Sequence, residues 1–441
     1  MYKMILLFLL TGTLANKAMS QPRSSPGIGA TLERYMEIQQ DRIGFSGVLM
    51  VYRHQHPLYV VTKGLASREL NVPLLPDATF RIASVSKQFT AMLTVLAMEE
   101  GKLQPGDSLA SFYPSLQGPQ WRAITIRQLL AHTSGIPHNE GIAGYRTSTS
   151  RLALGREQAL QAIFRMQPSA DNGYSSPGYF LLADILESLY GKPYAALLRE
   201  KILQPLNMQH TGVLTGIRII PGMTSGYHQL GDSLIMAPYR DQSLMKGSGD
   251  LYSTAADLQL WNSSLLDDRH WGASARQQLF SVHNGKLGYG YGWYVNPGRK
   301  MYWHGGGTFG CSAISAIYEQ EKLSIVLLSN VSVLPVNEML ADIEKIVLGL
   351  PFDMPVEEPV FRLEDEQLNA FTGVYVREGQ ELHILQQGNQ LYAKMGNRPP
   401  FAIYPKSRHE FYGKKVNVRL IFKDKGLDAE ARGETLHFDK Q

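Results

Sequence analysis

A serine and a lysine stand three positions apart at the start of a helical pattern. The segment RIASVSKQFTAM places Ser84 and Lys87 at this spacing, with Ser86 between them. Residues three apart share one face of a helix, and the free N–H groups at a helix N-terminus favour developing negative charge. The pattern therefore predicts a nucleophilic serine with an amine beside it. The competing interpretation is that Ser84 is an ordinary N-cap.

The setting of this pair distinguishes it from a second pair with the same spacing. Ser243 and Lys246 are followed by Gly247-Ser248-Gly249, which breaks any helix and indicates a loop. After Lys87, apolar residues instead recur at helical intervals up to about Gly101, at Phe89, Met92, Leu93 and Leu96. Only the first pair is predicted to lie at the beginning of a helix.

A nucleophilic serine also needs a base and donors for an oxyanion, and two further segments offer them. DNGYSSPGYF places Tyr174 in a polar loop just before Pro177-Gly178 and a helix. In YWHGGGTFG, three glycines follow His304 and leave backbone N–H groups free to face a substrate. The chain contains no G-x-S-x-G, which argues against the nucleophile elbow of the α/β-hydrolases.

Together these segments resemble the three motifs of the serine β-lactamase and penicillin-binding-protein family. The similar branch includes class C β-lactamases, D-alanyl-D-alanine carboxypeptidases, D-aminopeptidases and related esterases. S-x-x-K matches at Ser84 and Lys87, and Tyr-x-Asn matches at Tyr174 but has Ser176 in place of Asn. Lys-Thr-Gly, or its His-x-Gly variant, matches from His304 onward. LLAHTSGIP and GDLYSTAADLQLW are similar to further family segments, so the resemblance covers about residues 28–350.

The resemblance implies roles for the residues that would carry the reaction. Ser84 would attack a carbonyl and form an acyl-enzyme, while Lys87 and Tyr174 would manage its proton. Lysine is normally protonated near neutral pH, with a pKa of ~10.4, so one of the two must be perturbed. The sequence leaves open which of them is the base. The oxyanion would be held by the N–H groups of Ser84 and, by the family's pattern, Gly307.

The resemblance also implies the substrate-binding residues Ser176, His304, Gly305 and Gly306. His304 would replace the lysine that holds a substrate carboxylate, and a histidine is charged only part of the time near neutral pH. Ser176 is shorter than Asn, so we expect it not to reach a substrate amide or Lys87 as Asn would. We therefore expect β-lactams to be slow substrates at most, and activity on carboxylate-bearing substrates to rise at acid pH.

Composition excludes several classes of function. The formal charge of +4 is small for 441 residues, and no Lys/Arg run indicates a nucleic-acid partner. Cys311 is the only cysteine, so a disulfide within the chain and a thiol-based metal site are excluded. His54 and His56 have ligand-like spacing but no third ligand nearby. We expect neither a metal nor a cofactor.

The first twenty residues have the pattern of an export signal. Lys3 precedes a short apolar run, and Ala18-Met19-Ser20 forms a small-x-small cleavage site before Gln21. The run is too short to span a bilayer, and no later segment reaches 18 apolar residues. The pattern predicts a signal peptide over residues 1–20 and a periplasmic or secreted enzyme without a transmembrane segment.

Strand and helix patterns predict an α+β fold followed by a small all-β barrel. Strand pairs near residues 45–64 and 311–330 flank a mostly helical block, which favours one antiparallel sheet with helices around it. This hydrolase domain would span residues 28–350. The proline-rich stretch at 351–359 reads as a linker, and 360–441 shows Gly-separated alternating runs that resemble a lipocalin-like domain.

The sequence thus favours an exported serine hydrolase that acts through an acyl-enzyme on an amide or ester. A D-amino-acid or cell-wall peptide is the first candidate substrate. An esterase or a true β-lactamase is an alternative, as is a sensor that is acylated by penicillin without turnover. The oligomeric state stays open.

Overall fold

The computed structural model describes residues 27–216, 218–230, 233–355, 361–396, 400–413, 418–431 and 434–441. The predicted signal peptide and part of the predicted linker lie outside these ranges. None of the helices in the described ranges is long and apolar enough to cross a membrane.

The described elements comprise helices, strands and short 3-10 turns. The helices are α1 Ile28–Ile43, α2 Ser86–Glu99, α3 Leu109–Phe112, α4 Pro119–Ala123, α5 Ile126–Leu130, α6 Arg156–Phe164, α7 Ser176–Tyr190, α8 Tyr194–Leu198 (continued by a π-turn Arg199–Leu203), α9 Ala255–Ser264, α10 Gly272–Phe280, α11 Val336–Leu348 and α12 Asp365–Asn369. The strands up to the barrel are β1 Gly47–Arg53, β2 His56–Lys63, β3 Leu65–Ser67, β4 Val72–Pro73, β5 Phe80–Arg81, β6 Gly212–Val213, β7 Tyr227–Leu230, β8 Ser233–Met236, β9 Leu251–Ser253, β10 Tyr294–Asn296, β11 Met301–Thr308, β12 Cys311–Tyr318, β13 Leu323–Ser329 and β14 Val331–Ser332. The barrel strands are β15 Gly373–Arg377, β16 Gln380–Gln387, β17 Gln390–Met395, β18 Phe401–Pro405, β19 Glu410–Gly413, β20 Arg419–Lys423, β21 Gly426–Ala431 and β22 Glu434–Lys440.

A six-stranded antiparallel sheet joins distant parts of the chain. Its strand order is β10-β11-β12-β13-β1-β2, so the N-terminal hairpin pairs with strands more than 250 residues later. The predicted strand pairs and their common sheet are therefore confirmed. The sequence did not indicate the two small sheets β5-β9-β6 and β14-β7-β8.

Both faces of the central sheet are buried, which explains its nearly continuous apolar strands. Along β1, Val48 and Met50 face the larger core with α2 and α9, whereas Leu49 and Val51 face α1 and α11. Alternate residues of a strand point to opposite faces, so each strand contributes to two cores.

The turn that carries Ser84 packs against β11, the strand that carries His304 and the three glycines. The 3-10 turn Ala83–Val85 links β5 to α2 and lies against β11. Strand β10 covers only Met301–Trp303 of β11, so the edge of β11 from His304 onward has no neighbour in this sheet. A substrate could therefore reach this edge beside Ser84.

The C-terminal part is a closed antiparallel barrel, as the sequence predicted, and it has eight strands. The strands follow one another in chain order, and β15 pairs with β22 to close the barrel. Alternate apolar side chains fill the interior, and Leu368 of α12 packs against them. The fold prediction of an α+β domain followed by a small barrel is thus confirmed.

Candidate active site

Ser84 lies in a strained turn immediately before α2. Ala83 has a φ of 44°, a left-handed conformation that is unusual for a residue with a Cβ. The Ser86 hydroxyl supports this turn, because it donates to the Ala83 carbonyl at 2.6 Å and accepts from the Leu251 N–H at 3.2 Å. Ser84 is therefore neither the helix N-cap nor a residue of α2 itself. Ser86 is a structural residue.

The Lys87 amine meets three oxygens inside the protein. Its Nζ lies 3.1 Å from Ser84 Oγ, 3.0 Å from Ser176 Oγ and 2.7 Å from the Ser248 carbonyl oxygen. The side chain is fully buried. Burial lowers the pKa of Lys87 well below its usual value, and the buried Asp250 carboxyl only partly opposes this. The predicted contact of Ser84 with Lys87 is present, and the amine favours its neutral form.

Tyr174 occupies the other side of the same chamber. Its ring centroid lies 4.9 Å from Lys87 Nζ. Burial raises the pKa of Tyr174 well above its usual value, although the adjacent Ser84 hydroxyl partly offsets this. The buried Tyr174 hydroxyl makes no hydrogen bond of good geometry with any described residue. The phenol is therefore protonated and has its hydroxyl available.

Two neutral histidines hold the beginning of α7, which carries the second motif. The Ser175 N–H donates to His132 Nδ1 at 3.1 Å, and the Ser176 N–H donates to His138 Nδ1 at 3.2 Å. The His132 ring also lies 4.2 Å from the Tyr174 ring, centroid to centroid. Burial lowers the pKa of both histidines, to about 4 for His138. Neutral imidazoles with free Nδ1 acceptors can make these contacts.

The expectation for Ser176 was wrong in one respect. Its hydroxyl reaches Lys87, because α7 begins at Ser176 and brings the residue to the amine. Ser176 is 1% exposed, so its side chain faces the Lys87 amine and not the solvent. The structure thus places Ser176 beside the proton-transfer groups, and its role in substrate binding stays a prediction.

The expectation that His304 is partly charged near neutral pH was also wrong. Its Nδ1 donates to the Gly305 carbonyl at 2.6 Å, and its Nε2 accepts from the Tyr289 hydroxyl at 3.0 Å. The residue is 2% exposed. Burial lowers the pKa of His304 to about 3, and the charge that Lys87 carries when it is protonated adds to this effect. A neutral His304 supplies no cation for a substrate carboxylate, and the predicted rise of activity at acid pH loses its basis.

The glycines after His304 allow the Ser84 turn to approach β11. A Cβ on Gly306 would lie 2.2 Å from the Ile82 carbonyl oxygen and 3.2 Å from the Ser84 nitrogen, so no other residue fits without a shift. Gly305 is part of the same strand. A Cβ on Gly307 would meet nothing within 4 Å, so its surroundings are open. This geometry suits a substrate carbonyl between the backbones of Ser84 and Gly307.

The segment after the second Ser/Lys pair supports the site from behind. Lys246 binds Asp184 and Glu187, at 3.1 and 2.6 Å, and so makes structural ion pairs. Asp250 accepts from the Gly247 N–H at 3.0 Å and thereby braces the turn that presents the Ser248 carbonyl to Lys87. Burial raises the pKa of Asp250 to about 7.

Other reactive side chains lie apart from this constellation. Cys311 is buried, and burial raises the pKa of its thiol to about 12, so the thiol stays protonated. His54 and His56 lie at the exposed turn between β1 and β2. Within the described ranges, no three His, Cys, Asp or Glu side chains are grouped as metal ligands would be.

Sequence reasoning missed four contributors to the site: His132, His138, Tyr289 and the Ser248 carbonyl. The two histidines belong to or directly follow LLAHTSGIP, which had been recognised only as a family segment. That segment was the available signal for them. A backbone carbonyl and a tyrosine far along the chain carry no such signal.

Comparison with known proteins agrees with this geometry. The sequence model of the beta-lactamase family matches residues 30–347. The chain belongs to the beta-lactamase family of serine hydrolases. The matched range contains all three motifs and ends before the barrel.

Relatives of this beta-lactamase family member extend over both parts of the chain. Penicillin-binding protein 4* of Bacillus subtilis (strain 168) is 26% identical over 425 residues, which cover 89% of this chain and 93% of the relative. The octameric penicillin-binding protein homologue from Pyrococcus abyssi has a TM-score of 0.64 at 19% identity, covering 93% of this chain and 99% of that one. The D-amino acid amidase from Ochrobactrum anthropi SV3 has a TM-score of 0.62 at 22% identity, covering 72% and 99%. The two structural matches establish a shared fold.

Proposed function

We propose that this protein is an exported serine hydrolase that forms an acyl-enzyme on an amide or ester, with D-amino-acid or cell-wall peptides as its substrates. The observation that carries the proposal is the buried amine of Lys87, 3.1 Å from the Ser84 hydroxyl. Burial favours its neutral form, and a neutral amine can accept a proton.

Lys87 is the general base in this proposal. A neutral amine has two N–H groups and one lone pair. Ser176 Oγ and the Ser248 carbonyl accept the two N–H groups, which leaves the lone pair for the Ser84 O–H. As Ser84 Oγ bonds to the substrate carbonyl carbon, its proton passes to Lys87. The oxyanion is held by the N–H groups of Ser84 and Gly307.

Tyr174 is the proton donor to the leaving group. Its pKa is raised by burial, so it keeps its proton at neutral pH, and its hydroxyl has no other good partner among the described residues. When the tetrahedral intermediate collapses, the bond to the leaving nitrogen or oxygen breaks and that atom takes the Tyr174 proton. Tyr174 then recovers a proton from the Lys87 ammonium, and water hydrolyses the acyl-enzyme by the reverse proton path.

The substrate class rests on the relatives and on the site together. One relative is a penicillin-binding protein, and one structural match, which shares the fold, is a D-amino acid amidase. Amides and esters both have a carbonyl that such a site can attack. Hydrolysis of a D-alanyl-D-alanine peptide, a D-amino acid amide and a 4-nitrophenyl ester, measured side by side, will rank the substrate classes.

Covalent labelling tests the nucleophile. A fluorophosphonate should add one phosphonyl mass to the purified protein, within the peptide that contains Ser84, and Ser84→Ala should abolish both label and turnover. Ser243→Ala is the matched control, because it removes the serine of the other S-x-x-K pair. Labelling at Ser243 would overturn the assignment.

Steady-state kinetics separate an enzyme from a penicillin sensor. An enzyme gives continued turnover, whereas a sensor gives a stoichiometric burst and no further product. Export is tested separately by the N-terminus of the protein recovered from its producing cells, which should be Gln21 if residues 1–20 are a cleaved signal.

A further inference from the structure

Arg240 is held rigidly between two aromatic rings. Its guanidinium carbon lies 4.8 Å from the ring centroid of Tyr145 and 4.8 Å from that of Phe309, and its Nη1 donates to the Tyr145 hydroxyl at 2.9 Å. Stacking on aromatic faces orients a guanidinium and leaves its other N–H groups available.

No carboxylate within the described part of the chain pairs with this guanidinium. Its Nε is buried and has no hydrogen-bond partner there. The nearest acidic residue in sequence, Asp241, is occupied by the Ser243 N–H at 2.8 Å and the Tyr239 hydroxyl at 3.1 Å. Glu140 pairs with Arg146 instead. Arg240 is therefore a cation held in place by its neighbours, with guanidinium N–H groups that have no partner among the described residues.

Arg240 lies near the end of β11, the strand that carries His304 and Gly307. Phe309 comes two residues after Gly307, at the turn that ends β11, and three residues of extended chain beyond Gly306 span about 10 Å. His304 lies on the other side of Gly306 along the same strand. The charge of Arg240 also contributes, after burial and Lys87, to the low pKa of His138. Arg240 thus lies at the end of β11 remote from His304, near the histidine that binds the Ser176 N–H.

We propose that Arg240 binds a carboxylate on the acyl side of the substrate, that is, on the part that becomes attached to Ser84. The proposal thus places the leaving group toward the His304 end of β11 and the acyl group toward its Phe309 end. A planar guanidinium suits a carboxylate, which it can hold through two parallel hydrogen bonds. Arg240 supplies a cation in a cleft where His304 supplies none.

This inference rests on the proposed function, and matched substrates test it. The 4-nitrophenyl monoesters of glutaric, adipic, pimelic and suberic acid carry a carboxylate at increasing distance from the reacting carbonyl. The corresponding ω-carboxamide esters are neutral and nearly the same size. We expect kcat/KM to favour the acid over the amide by about tenfold to a hundredfold at the best chain length, mainly through KM.

Variants of Arg240 should change this preference selectively. Arg240→Gln should bring the acid:amide ratio close to one, and Arg240→Lys should retain part of the preference. Arg269→Gln is the control for net charge, since Arg269 is exposed and pairs with Asp267. Loss of folded protein lowers both rates equally, so the ratio stays interpretable even for an unstable variant.

Several results would overturn the inference. Ser84-dependent hydrolysis with an acid:amide ratio near one in the wild type would contradict it and leave the proposed function intact. An unchanged preference in Arg240→Gln would do the same. If Ser84-dependent hydrolysis is absent, the proposed function fails. Carboxylate binding by Arg240 can then be tested without catalysis, by calorimetric titration of Ser84→Ala with suberic acid monoanilide and with its ω-amide. Equal affinity for the two ligands would refute carboxylate binding.

Discussion

Replacing Ser176 by alanine should slow the chemical step without weakening substrate binding. The Ser176 hydroxyl accepts one of the two N–H groups of a neutral Lys87, and the Ser248 carbonyl accepts the other. Together they direct the remaining lone pair toward Ser84. In Ser176→Ala one N–H loses its acceptor, so the amine can rotate and the lone pair is no longer fixed on the Ser84 hydroxyl.

The size of the effect follows from one hydrogen bond. A neutral hydrogen bond inside a protein contributes about 0.5–1.5 kcal/mol net. If that contribution is lost from the transition state, kcat falls about twofold to twelvefold. The side chain is 1% exposed and does not face the cleft, so KM for a small ester should change little.

The assay is steady-state hydrolysis of 4-nitrophenyl acetate, with the thermal unfolding midpoint measured in parallel. Ser315→Ala is the matched control, because Ser315 is equally buried and donates one hydrogen bond, to Asn262 Oδ1 at 2.8 Å, away from Lys87. We expect the control to lose stability to a similar extent and to keep its kcat.

Three outcomes would refute the reasoning. An unchanged kcat in Ser176→Ala would mean that Ser176 does not orient the amine. A rise in KM at constant kcat would mean that its hydroxyl binds substrate, as the sequence had suggested. An equal fall of kcat in Ser315→Ala would show that general loss of packing, rather than orientation of Lys87, slows the reaction.

Four further predictions concern pH, His304, the barrel and β-lactams. A base works in its neutral form, and burial lowers the pKa of Lys87. We therefore expect kcat/KM for a neutral ester to rise with pH and to reach its plateau below pH ~10, the region where an ordinary lysine titrates. A midpoint of the rise near pH ~10.4 would contradict this expectation. His304→Gln should preserve the profile between pH 5 and 8, since a histidine with a pKa of about 3 does not titrate there, and a lost inflection in that range would show otherwise. A chain that ends at Val356 should stay folded by circular dichroism and keep its activity on a small ester, because the described barrel has its own apolar interior; a folded but inactive product would show that the barrel contributes to the site. Penicillins and cephalosporins should be slow substrates at most, since His304 supplies no cation, and kcat/KM near the diffusional limit of ~10⁸ M⁻¹s⁻¹ would refute this.

Periodicity was sufficient to predict the main elements of the fold. The strand pair at 47–63 was visible as two apolar runs around a turn, and the helix from Ser86 was visible because its apolar residues recur at intervals of three to four. The two small sheets were not predictable in the same way. Strands such as β5 and β6 have two residues each, too few to show a period, and their pairing depends on contacts across the chain.

In the site, too, features that depend on local spacing were predictable, and features that depend on distant contacts were not. Ser84 and Lys87 could be paired from sequence because their separation is local. The charge of His304 could not, because its pKa depends on burial and on Lys87, which lies more than 200 residues earlier. Ser176 was misjudged for a related reason. Side-chain length was compared with that of Asn, whereas the contact with Lys87 depends on where α7 begins.

One physical cause assigns opposite roles to the two groups beside Ser84. Removal from water disfavours the charged form of any side chain, so it lowers the pKa of Lys87 and raises that of Tyr174. The amine thereby becomes a proton acceptor while the phenol remains a proton donor. A base and an acid can then coexist about 5 Å apart, measured from Nζ to the ring centroid, with no charge on either. A change that admits water to this chamber should therefore impair both proton transfers together, even when every side chain of the three motifs is retained.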